Sequence, residues 1–298
     1  METVPAKTIL SRTKAQNMGW FGYEYNMNLY RGCCHGCLYC DSRSSCYHID
    51  DFDTVRAKEN ALPILRNELA RRIKTGVVGT GAMSDPYNPF EKKELLTRHA
   101  LELLNAYQFG ASVATKSNLI TRDIDIFTDI KQHSPVLCKI TITTPHDDLA
   151  AKIEPHAPSS TQRFAALQSL AAAGIFCGVL LMPVLPFLAD DPASIELLVK
   201  KAAAAGARFI YADFGVTMRD GQREYFLNGL DTAFPLQGYG QKYRTRFGSR
   251  YHCASPRAKQ LWQIFTAACN KVGLLYNMRD IIAAYRQGYG NRQLSFFN

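Results

Sequence analysis

Residues 31 to 41 read Arg-Gly-Cys-Cys-His-Gly-Cys-Leu-Tyr-Cys-Asp, and four thiols in so short a stretch are the first feature of the chain suited to chemistry. Two ligand spacings are available there. Cys33, Cys37 and Cys40 give C-x3-C-x2-C, and Cys34, Cys37 and Cys40 give C-x2-C-x2-C. The second resembles the opening of a bacterial ferredoxin run, whose next ligand would stand at position 44. That position is Ser44, and no Cys-Pro follows. Three thiolates on one tight loop can hold three irons of a cubane and leave the fourth iron open. An electron carrier needs a fully ligated cluster, whereas a catalyst needs a vacant position, as catalytic zinc does. Gly32 and Gly36 allow the backbone to wrap closely around such a group. Zinc remains the alternative: Cys33, Cys37 and Cys40 with His35, His48 or Cys46 have the right donor types, although no second C-x2-C knuckle is present.

The elements that must position this loop alternate regularly. Strand-like runs fall at Tyr25–Tyr30, Val77–Gly79, Ala111–Thr115, Val136–Thr143, Phe176–Val184 and Phe209–Phe214. Between them lie helical patterns at Asn60–Lys74, Glu91–Tyr107, Ser160–Ala173 and Asp191–Ala205. Pro63 is tolerable in a first turn, Gly174 suits a helix C′ position, and Asp191-Pro192 reads as an N-cap and N1 pair. The spacing in Glu91–Tyr107 places Leu95, Leu96, His99, Leu103 and Leu104 on one face, and that in Ser160–Ala173 places Phe164, Leu167, Leu170 and Ala171 together. Six β/α units without antiparallel hairpins imply an α/β fold with a parallel sheet, whose ligand site lies at the carboxyl ends of the strands. The polar residues gather at those ends: the cysteine loop, Ser84 and Asp85, Lys116 and Ser117, Thr141 and Thr143. After Met218 the period is lost. Residues 18–215 are read as the core and 216–298 as an extension packed on it, with a helix over Ser255–Val272.

Bulk properties narrow the class. The chain has 298 residues, 47% of them hydrophobic, which is ample for a core and argues against disorder. No apolar run is long enough to span a bilayer, and Met1–Arg12 does not read as a signal peptide, so the expected location is cytoplasmic. Nine cysteines, an odd number with five clustered between Cys33 and Cys46, speak for metal and against a disulfide framework. The net charge of +9 suits an anionic partner such as nucleic acid. Lys242, Arg244, Arg246 and Arg250, interleaved with Tyr243, Phe247 and Tyr251, suit phosphate contact with base stacking, and Tyr285–Arg292 is a second such stretch.

The cysteine loop after a first strand, in a six-unit β/α chain, resembles the radical S-adenosylmethionine superfamily. The wider pattern is similar to its branch related to spore photoproduct lyase. It is carried by Asn28–Asp41, Ser84-Asp85-Pro86-Tyr87, Ala114–Ser117, Thr141–Thr144, and Glu154-Pro155 followed by Arg163. The resemblance implies a partial TIM-type (β/α)6 barrel with a C-terminal extension and a 4Fe-4S cluster on Cys33, Cys37 and Cys40. It implies S-adenosyl-L-methionine as cofactor, cleaved reductively to a 5′-deoxyadenosyl radical, and flavodoxin or ferredoxin as electron donor. By the same resemblance Tyr39 packs near the cofactor adenine, Ser84 and Asp85 contact the cofactor, Lys116 faces its carboxylate, and Thr141 falls where ribose is contacted. The pattern also departs. Lyases of that branch carry a hydrogen-donor cysteine where this chain has Ala82, and a tyrosine where it has Asp41. Alanine has no weak X–H bond to donate, so repair of spore photoproduct is not the expected reaction. Cys34 and Cys253 are alternative donors. The substrate is expected to be nucleic acid or nucleotide-like, with a peptide or small metabolite, or a non-catalytic zinc protein on nucleic acid, as the other readings.

Overall fold

The computed structural model describes residues 1–13, 19–72 and 74–289 of the chain. Seven strands form the principal sheet: β1 (Leu10–Arg12), β2 (Tyr25–Met27), β3 (Val77–Thr80), β4 (Gly110–Thr115), β5 (Val136–Thr141), β6 (Cys177–Leu181) and β7 (Phe209–Ala212). Their spatial order is β7-β6-β5-β4-β3-β2-β1. Strands β2 to β7 are all parallel to their neighbours, and β1 adds antiparallel to β2. The six expected strands are therefore present, in a sheet that does not close among the described residues: the parallel-rich α/β core of a partial barrel. Every residue of β5 and β6 is buried, as expected for strands covered on both faces.

Local chemistry explains several helix boundaries. Ser159 and Gln162 form a reciprocal capping box on the helix Ser160–Ala172, and Gly174 beyond its end has φ +69°. Asp191 accepts from Ser194 N at 2.9 Å ahead of Pro192, opening the helix Pro192–Ala204. The expected helix Glu91–Tyr107 is instead two pieces, Glu91–Glu94 and Leu96–Ala106, broken at Leu95 with φ +52°. The buried Glu91 carboxylate caps the second piece, accepting from Thr97 N at 2.9 Å. Its core face is accordingly Thr97, Ala100, Leu101 and Leu104, and His99 is exposed. The helix expected over Asn60–Lys74 runs Ala61–Ala70.

Antiparallel pairing, which the sequence does not announce, shapes both ends of the site. Tyr30–Arg31 leaves the main sheet and pairs with Arg56–Lys58, so the cysteine loop begins at a strand switch. Gly215–Thr217 pairs with His252–Ala254. The helix expected at Ser255–Val272 spans Ala258–Val272 and lies along Pro192–Ala204. The helix Met278–Arg286 buries Ile281 and Tyr285 with Phe21, Val77, Leu137 and Phe209, near the amino ends of the strands. Tyr285 donates its hydroxyl to Phe21 O at 2.8 Å. That end is plugged, which leaves the carboxyl ends for a ligand. Among the described residues no helix is long and apolar enough to cross a membrane.

Candidate functional site

The cysteine loop is held from several sides through its backbone. Cys33 N donates to Phe52 O at 2.8 Å, Leu38 N to Ile153 O at 2.9 Å, and His156 N to His35 O at 3.1 Å. Gln222 Nε2, from the C-terminal extension, donates to Tyr39 O at 3.2 Å. Two glycines are obligatory. Gly32 has φ +80° and a Cβ there would lie 2.3 Å from Thr54 O; Gly36 has φ +67° and its Cβ would lie 2.9 Å from the His156 ring.

Cys33, Cys37 and Cys40 lie within electrostatic reach of one another. Burial and the Asp85 charge push the Cys33 thiol up to about 12, and the charge of Cys40 adds to this. Burial raises Cys37, which Lys116 opposes while Glu154, Cys40 and Cys33 reinforce it. Burial raises Cys40 too, against the pull of Lys116. Cys34 is not coupled to them: its pKa is raised by burial and by Asp85 and Asp53, with none of the other thiols contributing. Charge coupling thus links the thiols of the C-x3-C-x2-C set and does not reach Cys34. One buried and two half-buried thiols with raised pKa values keep their protons in water and would release them to a metal centre.

Asp85 joins three strand ends. It accepts from Thr115 Oγ1 at 2.6 Å, Lys116 N at 2.8 Å and Tyr87 N at 2.9 Å, and His35 Nε2 of the cysteine loop lies 3.1 Å away. Burial would raise its pKa, but the His35 ring and these donors hold it well below the usual carboxylate range. Ser84 donates to Gly32 O at 2.6 Å. Both residues singled out after the second parallel strand therefore brace the cysteine loop.

A second buried hub was not assigned a role from the sequence. Glu154 and Arg163, whose side chains have no exposed surface, pair at 2.5 Å. Glu154 also accepts from the Tyr39 hydroxyl and, at 3.2 Å, from Thr143 Oγ1. Arg163 donates to Thr141 O at 3.1 Å and Pro158 O at 2.8 Å. Burial works against the Glu154 carboxylate, yet Arg163 and Lys116 hold its pKa down. The half-buried Lys116 places Nζ 5.5 Å from the Tyr39 ring centroid. Burial alone would lower its pKa; Cys37, Glu154 and Cys40 raise it above the ordinary lysine value. Tyr39, Lys116, Thr141 and the thiols are thus brought to one place. The signal for Glu154 and Arg163 was present only as Glu-Pro with an Arg nine residues on, a pairing that needs the fold to be seen.

Asp41, directly after Cys40, is engaged by Arg219 Nε at 3.0 Å, Tyr47 at 3.2 Å and Thr217 at 3.3 Å, tying the extension to the loop. Ala82 is exposed in the loop after β3. Cys253 is buried with Sγ 3.6 Å from Arg250 O, among residues of the extension. In the basic segment Tyr243 and Phe247 are core residues, so only Tyr251 of its three aromatics is exposed. The far part of Tyr285–Arg292 lies outside the described residues, as does residue 18.

Residues 27–198 match the radical SAM superfamily. The chain belongs to that superfamily. Relatives extend the match. An uncharacterized protein of Mycobacterium tuberculosis is 33% identical over 242 residues, 78% of this chain and 70% of that one. An uncharacterized protein of Methanocaldococcus jannaschii is 34% identical over 172 residues, 57% of this chain and 63% of that one. Among solved structures, spore photoproduct lyase complexed with dinucleoside spore photoproduct has TM-score 0.60 at 15% identity, covering 91% of this chain and 79% of that chain. A radical S-adenosylmethionine methyltransferase of Kitasatospora setae, with tryptophan substrate bound, has TM-score 0.54 at 10% identity, covering 83% and 51%. At such identities the likeness is one of fold. This radical SAM enzyme is thereby expected to use S-adenosylmethionine and an iron–sulfur cluster, and its donor set fits the latter: three grouped thiols, a close-wrapped glycine backbone and an adjacent cation. Among the described residues no three Cys, His, Asp or Glu side chains form a site for a single metal ion.

Proposed function

We propose that Cys33, Cys37 and Cys40 hold a 4Fe-4S cluster with one iron left open, and that S-adenosylmethionine binds beside it at the carboxyl ends of the strands. The observation that carries this reading is that the three thiols share one loop braced by Ser84 and Asp85, with the Lys116 ammonium 5.5 Å from the ring centroid of Tyr39, which stands between the last two of them. When bound, the cluster supplies the electron, drawn from flavodoxin or ferredoxin, that breaks the sulfonium C–S bond to give methionine and a 5′-deoxyadenosyl radical. The chain's own residues do the rest. Lys116 offers an ammonium to the cofactor carboxylate. Tyr39, its ring fixed by the Glu154 bond, packs near the adenine; Ser84 and Asp85 present the cofactor-side edge of the loop they brace, and Thr141 lies toward the ribose. The plugged amino end and the extension keep water from the radical.

The substrate in this reading is a nucleic acid or a nucleotide-like molecule, and the reaction is not repair of spore photoproduct, because Ala82 has no weak X–H bond from which to give a hydrogen atom. Zinc is disfavoured because one ion needs its ligands to converge on a point, whereas each corner of a cubane takes its own thiolate. The test is anaerobic reconstitution with iron and sulfide, then dithionite and S-adenosylmethionine. Expected are 5′-deoxyadenosine and methionine; a reconstituted cluster that yields neither sinks the proposal, as does one zinc and no iron in anaerobically purified protein.

A further inference from the structure

The charge of this chain is divided in a way its total conceals. Residues 1–231 hold 25 Lys and Arg against 25 Asp and Glu, whereas residues 232–298 hold ten against one. The entire net charge of +9 therefore sits in the last 67 residues. From Thr232 to Arg279 there is no carboxylate side chain at all.

The fold spreads these cations over a surface and does not neutralise them. Arg244 pairs with Asp231, and Arg286 with Glu24. Among the described residues Lys242, Arg246, Arg250, Arg257 and Lys259 are exposed and in no ion pair. Lys242 and Arg246 flank an open hollow of about 470 Å³ that Phe187, Gln241 and Thr245 also line. The loop beyond their helix, Tyr239–Phe247, is pinned by Arg223, which donates to Gly248 O and Arg250 O. There Tyr251 is 51% exposed, and one turn into the next helix Trp262 is 44% exposed. Arg219 joins this strip to the cysteine loop, bonding both Tyr251 at 2.9 Å and Asp41 at 3.0 Å.

From this placement we infer that the strip from the Tyr239–Phe247 helix to Trp262 is a docking surface for a single-stranded or locally opened nucleic acid, leading one nucleotide to the barrel mouth. The inference rests on, and deepens, the substrate reading above. A run of nearly fifty residues whose own charged side chains are all basic, with several exposed and in no ion pair, is the complement of a polyanion with regular charge. Exposed Tyr251 and Trp262 among the cations provide stacking faces for unpaired bases, for which an acidic protein partner has no use.

The measurement is fluorescence anisotropy of a fluorescein-labelled oligothymidylate with the full chain, across a salt series, beside duplex DNA and an acidic flavodoxin as competitors. The variant Lys242→Gln/Arg246→Gln/Lys259→Gln should bind at least tenfold more weakly at low salt. Its slope of log affinity against log salt should fall by about two, since each single-strand phosphate contact contributes roughly 0.7. Trp262→Ala, checked for an unchanged melting transition, should weaken single-strand binding roughly five- to a hundredfold and duplex binding less. Dithionite-driven 5′-deoxyadenosine formation should be the same in the triple variant as in the native chain. Normal oligonucleotide binding by a chain that forms no 5′-deoxyadenosine would overturn the radical reading and uphold this surface. No oligonucleotide binding, binding unaffected by the triple variant, or flavodoxin held by these cations in place of the oligonucleotide would each overturn it.

Discussion

Replacing Glu154 with Gln removes one charge from a pair that has no contact with solvent. Arg163 would be left with its bonds to Thr141 O and Pro158 O but no counter-charge at 2.5 Å. At an effective dielectric near 20, a contact of this length carries several kcal/mol of Coulomb energy, and breaking a buried pair at one partner typically costs about 3–5 kcal/mol. Glu154 also receives the Tyr39 hydroxyl and Thr143, so the loss reaches the cysteine loop. For a chain of this size the expected fall in melting temperature is roughly 5–15 °C. Urea unfolding of the anaerobically purified protein, with Arg163→Met and the double variant, completes a cycle. The double variant should cost less than the sum of the singles by about 2 kcal/mol or more. The reasoning is refuted if Glu154→Gln costs under about 1 kcal/mol, or if the two substitutions simply add.

Cys33→Ala, Cys37→Ala and Cys40→Ala should each abolish most iron binding on reconstitution, while Cys34→Ala should retain it; colorimetric iron and sulfide assays decide. Gly36→Ala places a Cβ 2.9 Å from the His156 ring at φ +67° and should lower stability by about 1–3 kcal/mol, read by urea unfolding, with reduced iron uptake. Glu154 and Asp85 both have folded pKa values below their unfolded ones. Their contribution is present above the unfolded values near pH 4 and is lost as pH falls further, so Glu154→Gln should flatten the acid limb of the stability profile. Lys139, fully buried with Ser112 as its hydrogen-bond partner, has its pKa lowered by burial to about 7. Between that value and the ordinary lysine 10.5 the unfolded chain binds a proton the folded one does not, so stability should rise with pH across this window. The rise should shrink in Lys139→Met, as measured by urea midpoints at both ends of the window.

Much of the fold was legible because parallel strands covered on both faces must be largely apolar: β6 is so throughout, and β4 and β5 are apart from Ser112, Thr115, Lys139 and Thr141. Helix starts were legible where a cap is written in the chain, as at Ser159 and Asp191. The break at Leu95 was not, because it depends on Glu91 folding back to cap Thr97. Antiparallel pairing at Tyr30–Arg31 and at Gly215–Thr217 was missed for a similar reason: segments of two or three residues carry no period.

The sequence by itself determined the chemistry available: closely spaced thiols, two glycines free to take positive φ, and polar residues at consecutive strand ends. Those are local properties, fixed by residue type and short separations. Tertiary structure alone decided which thiols are coupled through their charges, and Cys34 is not among them. It decided that Ser84 and Asp85 brace the cysteine loop, and that Glu154 meets Arg163 and Tyr39 in a site none of them marks alone. It also turned Tyr243 and Phe247 inward while leaving Tyr251 and the cations outside. The reason is physical. Buried charge and burial itself depend on neighbours distant in the chain, and only packing supplies those neighbours.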